Sequence, residues 1–143
     1  MKKASILFAV AALAACTGGL FGQETQKPFT YTFDKGVGTC TFTGVSLDQV
    51  WSAAVKALMG DKFKIVSSEK QSGNLAAERR PFASTNYGLQ LFFEQRGQDI
   101  CITSSVYLLQ GVGGISDKTA SHKMEKKFFD NVVELLYGKV EKK

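Results

Sequence analysis

Between Asp99 and Leu109 the chain alternates without a break, and this stretch constrains the fold more than any other. Ile100, Ile102, Ser104, Val106 and Leu108 fall on one side of an extended strand. Cys101, Thr103, Ser105 and Tyr107 fall on the other. One side is apolar and the other semi-polar, so the strand belongs to a sheet with one buried face, the habit of antiparallel sheets. Residues 87–95 read as a partner strand, and Arg96-Gly97-Gln98 between the two is a tight hairpin signal.

The same period recurs toward the N-terminus. Phe29, Tyr31 and Phe33 alternate with Thr30 and Thr32, and residues 39–43 form a second run, which makes a hairpin with a loop at 34–38. Residues 62–65 and 74–80 read as two shorter strands around a polar turn at 69–73. Pro81 ends the second, and 81–86 reads as loop.

Two segments carry the helical period instead. Ser46 with Gln49 three residues on is a capping-box arrangement, and Leu47, Val50, Trp51, Ala54, Val55 and Leu58 recur along one face up to Gly60. Trp51 is therefore expected between this helix and the sheet. From about residue 118 to 137, Met124, Phe128, Val132 and Leu135 form a stripe, widened by Phe129 and Leu136 and ended by Gly138. The fold class that follows is α+β: an antiparallel sheet of about four to five strands with two helices packed on one face, in the order β-α-β-β-β-β-α. There is no internal repeat.

The first residues carry an address. Lys2 and Lys3 precede an apolar run of roughly ten residues, which fits a secretory signal and is too short to span a bilayer, which takes about 20. Leu13-Ala14-Ala15-Cys16 then resembles the lipobox of bacterial lipoproteins, with two small residues before the cysteine whose thiol receives the lipid. The resemblance implies cleavage between Ala15 and Cys16 and lipidation of Cys16. The expected organisation is signal peptide 1–15, lipidated tether 16–28, one α+β domain 29–138, and a basic tail 139–143. The expected location is the cell envelope, anchored by lipid, and Thr17 after the cysteine favours the outer membrane if the host is Gram-negative. Two or three acyl chains, at about 0.8 kcal/mol per buried CH₂, hold a protein on a membrane stably.

A further likeness rests on residues 42–51, 62–66 and 73–77: Phe42-Thr43-Gly44-Val45-Ser46-Leu47-Asp48-Gln49-Val50-Trp51, Lys62-Phe63-Lys64-Ile65-Val66 and Gly73-Asn74-Leu75-Ala76-Ala77. This pattern resembles small bacterial lipoproteins of uncharacterised families, and it is similar to the helix-grip domains of a lipoprotein component of the β-barrel assembly machine. The resemblance implies a fold and brings no catalytic residues with it.

Chemistry-bearing patterns are sparse. The formal charge of +5 includes Lys2 and Lys3 of the signal; the remaining Lys and Arg are scattered among acids, which does not suit nucleic acid. His122 is the single histidine and is expected to be solvated near the start of the last helix; no Cys, His or carboxylate spacing suggests a metal site. There is no G-x-S-x-G elbow. Residues 111–114, glycine-rich, lack the spacing of a phosphate loop and read as a turn. No cofactor is expected. Asp48, Asp61, Glu69 and Asp99 sit where a surface would put them. Cys40 and Cys101 leave two alternatives in an oxidising compartment: a disulfide, or two separate buried thiols.

These readings lead to a non-catalytic envelope module that binds a protein partner. Its expected surface is the second sheet face, with Phe92, Thr103 and Tyr107, and the loop that begins near Arg80. The alternative is a carrier of a small hydrophobic ligand or lipid in a groove between sheet and helices. Cys16→Ser is expected to abolish lipidation and leave the precursor uncut by the lipoprotein peptidase. Metabolic labelling with a palmitate analogue checks this, and label retained on the mutant would contradict it.

Overall fold

The computed structural model describes residues 27–82, 85–109 and 118–139. Six strands and two helices follow the order β1 (Phe29–Asp34), β2 (Val37–Phe42), α1 (Leu47–Gly60), β3 (Lys64–Glu69), β4 (Asn74–Phe82), β5 (Thr85–Arg96), β6 (Asp99–Leu109) and α2 (Lys118–Tyr137). The sheet is antiparallel throughout, in the order β1-β2-β6-β5-β4-β3. α1 carries the chain from β2 to the far edge, and the meander from β3 to β6 brings it back to pair with β2.

The α+β class holds, but there are six strands rather than four or five, and the chain begins β-β-α. The N-terminal hairpin accounts for the extra strand. Its connection shrinks from the expected loop at 34–38 to Lys35 and Gly36, both at positive φ (51° and 85°). Two consecutive left-handed residues make the turn whose twist suits a two-residue hairpin, so Asp34 and Val37 pair. Further along, β4 passes Pro81 instead of stopping there. The ladder with β5 shifts register between Arg79 and Phe82, and a bulge is where a residue lacking an N–H is tolerated. The expected loop at 81–86 thereby reduces to residues 83–84, which lie outside the described part.

α1 starts as its sequence demands: Ser46 accepts from the Gln49 amide at 3.2 Å, and the Ser46 amide donates to Gln49 Oε1 at 2.8 Å. It ends at Gly60, as expected, with Asp61 as its C-cap. Lys62 takes the left-handed conformation (φ 63°), and the Phe63 amide donates to the Leu58 carbonyl at 2.9 Å, so β3 begins at Lys64 rather than at 62. Asp61, expected on the surface, braces the two helices: Oδ1 accepts from Lys127 Nζ at 2.7 Å and Oδ2 from Asn131 at 2.9 Å.

The core lies on one side of the sheet. Cys40, Phe42, Leu75, Ala77, Leu89, Leu91, Phe93, Ile100 and Ile102 form its floor, and Val50, Trp51, Ala54, Leu58, Phe128, Phe129 and Val132 cover it. The buried face of α2 is rotated from the expected stripe. Leu135 is 52 % exposed, whereas Glu125 and Val133 are buried. Trp51 is buried with its ring centroid 4.7 Å from that of Phe93. Trp51→Ala is expected to lower the free energy of unfolding by about 3–5 kcal/mol, read from the denaturant midpoint. A loss under about 1 kcal/mol would show that this ring does not hold α1 to the sheet.

Candidate functional site

The inward face of the sheet is interrupted at one place by polar groups. Gly38 and Ser104 face each other across the β2–β6 ladder, and both are buried. A Cβ on Gly38 would stand 2.7 Å from Ser104 Oγ, 3.2 Å from the Phe129 ring and 3.4 Å from the Glu125 carboxyl carbon. Glycine there lets α2 approach closely enough to set a carboxyl against the sheet. Ser104 Oγ donates toward Glu125 Oε1 at 3.0 Å and toward the Gly38 carbonyl at 3.3 Å. A hydroxyl has one proton, so both contacts are satisfied together when Glu125 is neutral and supplies the proton on its side. Burial points the same way. It pushes the Glu125 carboxyl up to about 7, against the lowering effects of the Ser104 and Gly38 hydrogen bonds.

His122 lies one helical turn before Glu125. It was expected in solvent, and the structure corrects this: its ring meets Phe33 edge-on at 4.4 Å and Tyr31 at 6.1 Å, and its Nδ1 is buried. The aromatic row of β1 is the cause, since Tyr31 and Phe33 point inward at the hairpin edge and need a covering ring. Tyr31 also packs on Phe129 at 5.1 Å. Its hydroxyl is pushed up to about 12, first by burial and then by the Glu125 charge. Among the described residues, Tyr31 Oη, His122 Nδ1 and Glu125 Oε2 are buried without a hydrogen-bond partner.

Beside this cluster a groove of about 530 Å³ runs between the hairpin and α2. Phe29, Tyr31, Cys40, Phe129 and Val133 form its apolar wall, and Lys27, Lys126, Lys127, Asp130, Asn131 and Glu134 its polar rim. Two of the rim lysines are paired, Lys126 with Asp130 at 2.6 Å and Lys127 with Asp61 at 2.7 Å. At one end of α2 the Tyr137 hydroxyl is shared between the Pro28 and Thr43 carbonyls at 3.1 and 3.0 Å, which fixes the mouth of the hairpin to the helix.

The expected binding surface is only partly assembled. Phe92 and Thr103 are partners in the β5–β6 ladder on the uncovered face, and Phe92 is 44 % exposed. Tyr107 lies on the same face, its ring over Gly88, where no side chain would fit beneath it. Arg80 lies in β4, with its side chain outside the described part, as are Ala15, Cys16 and the glycine-rich 111–114. Cys40 and Cys101 are free buried thiols, not a disulfide. Cys40 pairs with Ile102 and Cys101 with Thr41, so their side chains leave opposite faces of adjacent strands. Burial first, then neighbouring Cys101, pushes the Cys40 thiol up to about 12, which keeps it protonated. Among the described residues no three His, Cys, Asp or Glu side chains gather as a metal site, and no helix is long and apolar enough to cross a membrane.

No family model matches this sequence, and no curated protein matches it. Among solved structures it is similar to CalU16 from Micromonospora echinospora, at 13 % identity over 83 % of this chain and 88 % of that one, with a TM-score of 0.40. A likeness at that level carries no argument about function.

The raised Glu125 pKa fixes the sign of a pH effect. A carboxyl that holds its proton more tightly when folded stabilises the fold fully below its unfolded pKa, near 4.5, and loses that contribution as pH rises toward 7. The loss is on the order of 3 kcal/mol. Glu125→Gln, which mimics the neutral acid, is expected to remove this part of the slope between pH 4.5 and 7. Parallel stability–pH curves for the two proteins would contradict a buried neutral Glu125.

Proposed function

We propose that this is a lipid-anchored, non-catalytic envelope lipoprotein that holds a small amphiphilic molecule in the groove between its N-terminal hairpin and α2. The observation that carries the reading is the groove itself. Its volume lies within the roughly 300–1,000 Å³ of ligand clefts, and its wall is apolar with polar groups at the rim. The hairpin makes this possible. β1 is an edge strand whose inward residues Phe29, Tyr31 and Phe33 are only half-buried, with no strand beyond it to extend the sheet. Apolar side chains left in that state gain from a guest that removes them from water. The lipobox supports a site of action at a membrane, where such molecules are found.

The uncovered sheet face supports a second reading, a surface for a protein partner. Phe92, Thr103 and Tyr107 lie there among Thr39, Thr41 and Ser105. One solvated face is usual for an antiparallel sheet, so this surface argues less strongly than the groove.

Native mass spectrometry of the processed protein from its own host separates the two. The groove reading expects a co-purifying small molecule that is lost in Glu134→Trp, where an exposed rim residue becomes a bulky plug, and kept in Glu134→Gln. A protein free of small molecules that instead retains a stoichiometric protein partner, lost on Phe92→Ala, would reverse the order of the two readings.

A further inference from the structure

Three buried polar atoms without partners among the described residues gather on two elements that face each other. Leaving a buried donor or acceptor unpaired costs about 1–3 kcal/mol, and native interiors hold few of them. Here all three belong to one neighbourhood. His122 and Glu125 are one turn apart on α2, Tyr31 packs its ring against His122, and Glu125 is the charged group that acts most on the Tyr31 hydroxyl. Glu125 is fully buried, and one of its oxygens is committed to Ser104 while the other has no partner. Tyr31 belongs to both places, since it lines the groove and carries one of the three atoms.

We infer that the polar cluster is the head-group receptor of the groove: Tyr31 Oη, Glu125 Oε2 and His122 Nδ1 together hold the uncharged hydroxyl-bearing head of an amphiphile whose apolar body lies along Phe29, Phe129 and Val133. The chemistry selects this class. A carboxylate or phosphate head would sit against the fully buried Glu125 carboxyl in a dry interior, and burying an anion beside an acid is far more costly than burying an alcohol. A head without polar atoms would leave all three receptor atoms as unsatisfied as they are without it. A hydroxyl head both donates and accepts, which is what a tyrosine hydroxyl, an imidazole nitrogen and a carboxyl oxygen jointly require. The inference rests on the groove reading and adds the identity of the head.

The test uses the processed chain from residue 16 with Cys16→Ser, so that no acyl group of its own competes. The probes are monododecanoylglycerol and dodecanoate, titrated by calorimetry below their micellar concentrations. The glycerol ester is expected to bind at least about tenfold more tightly than the anion, a difference worth about 1.4 kcal/mol. Tyr31→Phe is expected to weaken the ester about five- to tenfold and to leave thermal stability unchanged or raised, because the hydroxyl it removes has no partner in the protein. His122→Phe, which keeps a ring against Phe33 but removes Nδ1, serves as the second variant and should weaken the ester while leaving dodecanoate no weaker. Equal affinities for the two probes, or ester binding unmoved in both variants, would overturn the head-group assignment while the groove still binds. No uptake of either probe, or uptake indifferent to Glu134→Trp, would bring down the groove reading and this inference with it.

Discussion

Phe42, Leu75, Leu89, Leu91, Ile100 and Ile102 form a continuous apolar floor across four strands, and α1 and α2 lie where they do because that floor has to be covered. The burial is one-sided. It sets which face of every strand is apolar, so a slip of one residue in any ladder would turn that strand's apolar set into water. The two helices share the work unequally. α1 covers the β3–β5 side, α2 covers β2 and β6, and Asp61 ties the end of one to the flank of the other. What α2 leaves uncovered at β1 becomes the groove.

The polar cluster is a consequence of the same geometry. A helix lying flat on a sheet meets its strands at a distance set by side chains. At Gly38 that distance collapses, because one of the two facing residues has none. Glu125 and Phe129 move into the space, and Ser104 supplies the hydrogen bond that makes a carboxyl tolerable there. Neutral, Glu125 costs far less than it would ionised. Ionised, it would leave a charge buried under the hairpin. The cluster and the groove are thus two results of one feature, the imperfect fit of α2 over the N-terminal hairpin.

The helices and the outer-to-inner alternation were legible in the sequence because they are written in local signals: a capping box at Ser46 and Gln49, an apolar face around Trp51, and strict period two from Ile100 to Leu108. The two runs of the hairpin were legible as well, but the tight turn between them was not. Lys35 occupies a left-handed position that glycine or asparagine usually marks, so nothing local announced a two-residue turn. Lys62, also left-handed, delayed the start of β3 in the same way. The site was harder still. A glutamate and a histidine within a Lys-rich helix start look like solvent-facing residues, and a stripe drawn through apolar residues alone passes them by. The one clue was Ser104, a small polar side chain on an otherwise apolar face, which asks for a polar partner from whatever covers it. Finding that partner required the register of β2 against β6, which pairs Gly38 with Ser104, 66 positions away, and leaves no local trace.

That long-range ladder also dictates an order of events. A chain that emerges N-terminus first presents the hairpin long before β6 exists, and β2 has no lateral partner but β1 until residues near 100 arrive. An isolated two-stranded hairpin is marginal in water. Closing a loop of that length is slow compared with the local pairing of β3 to β6, which proceeds strand by strand. On contact-order grounds the local meander is expected to pair first and the hairpin to join it late. With the proposed lipid anchor, the last segment to be secured in place would be the one nearest the membrane.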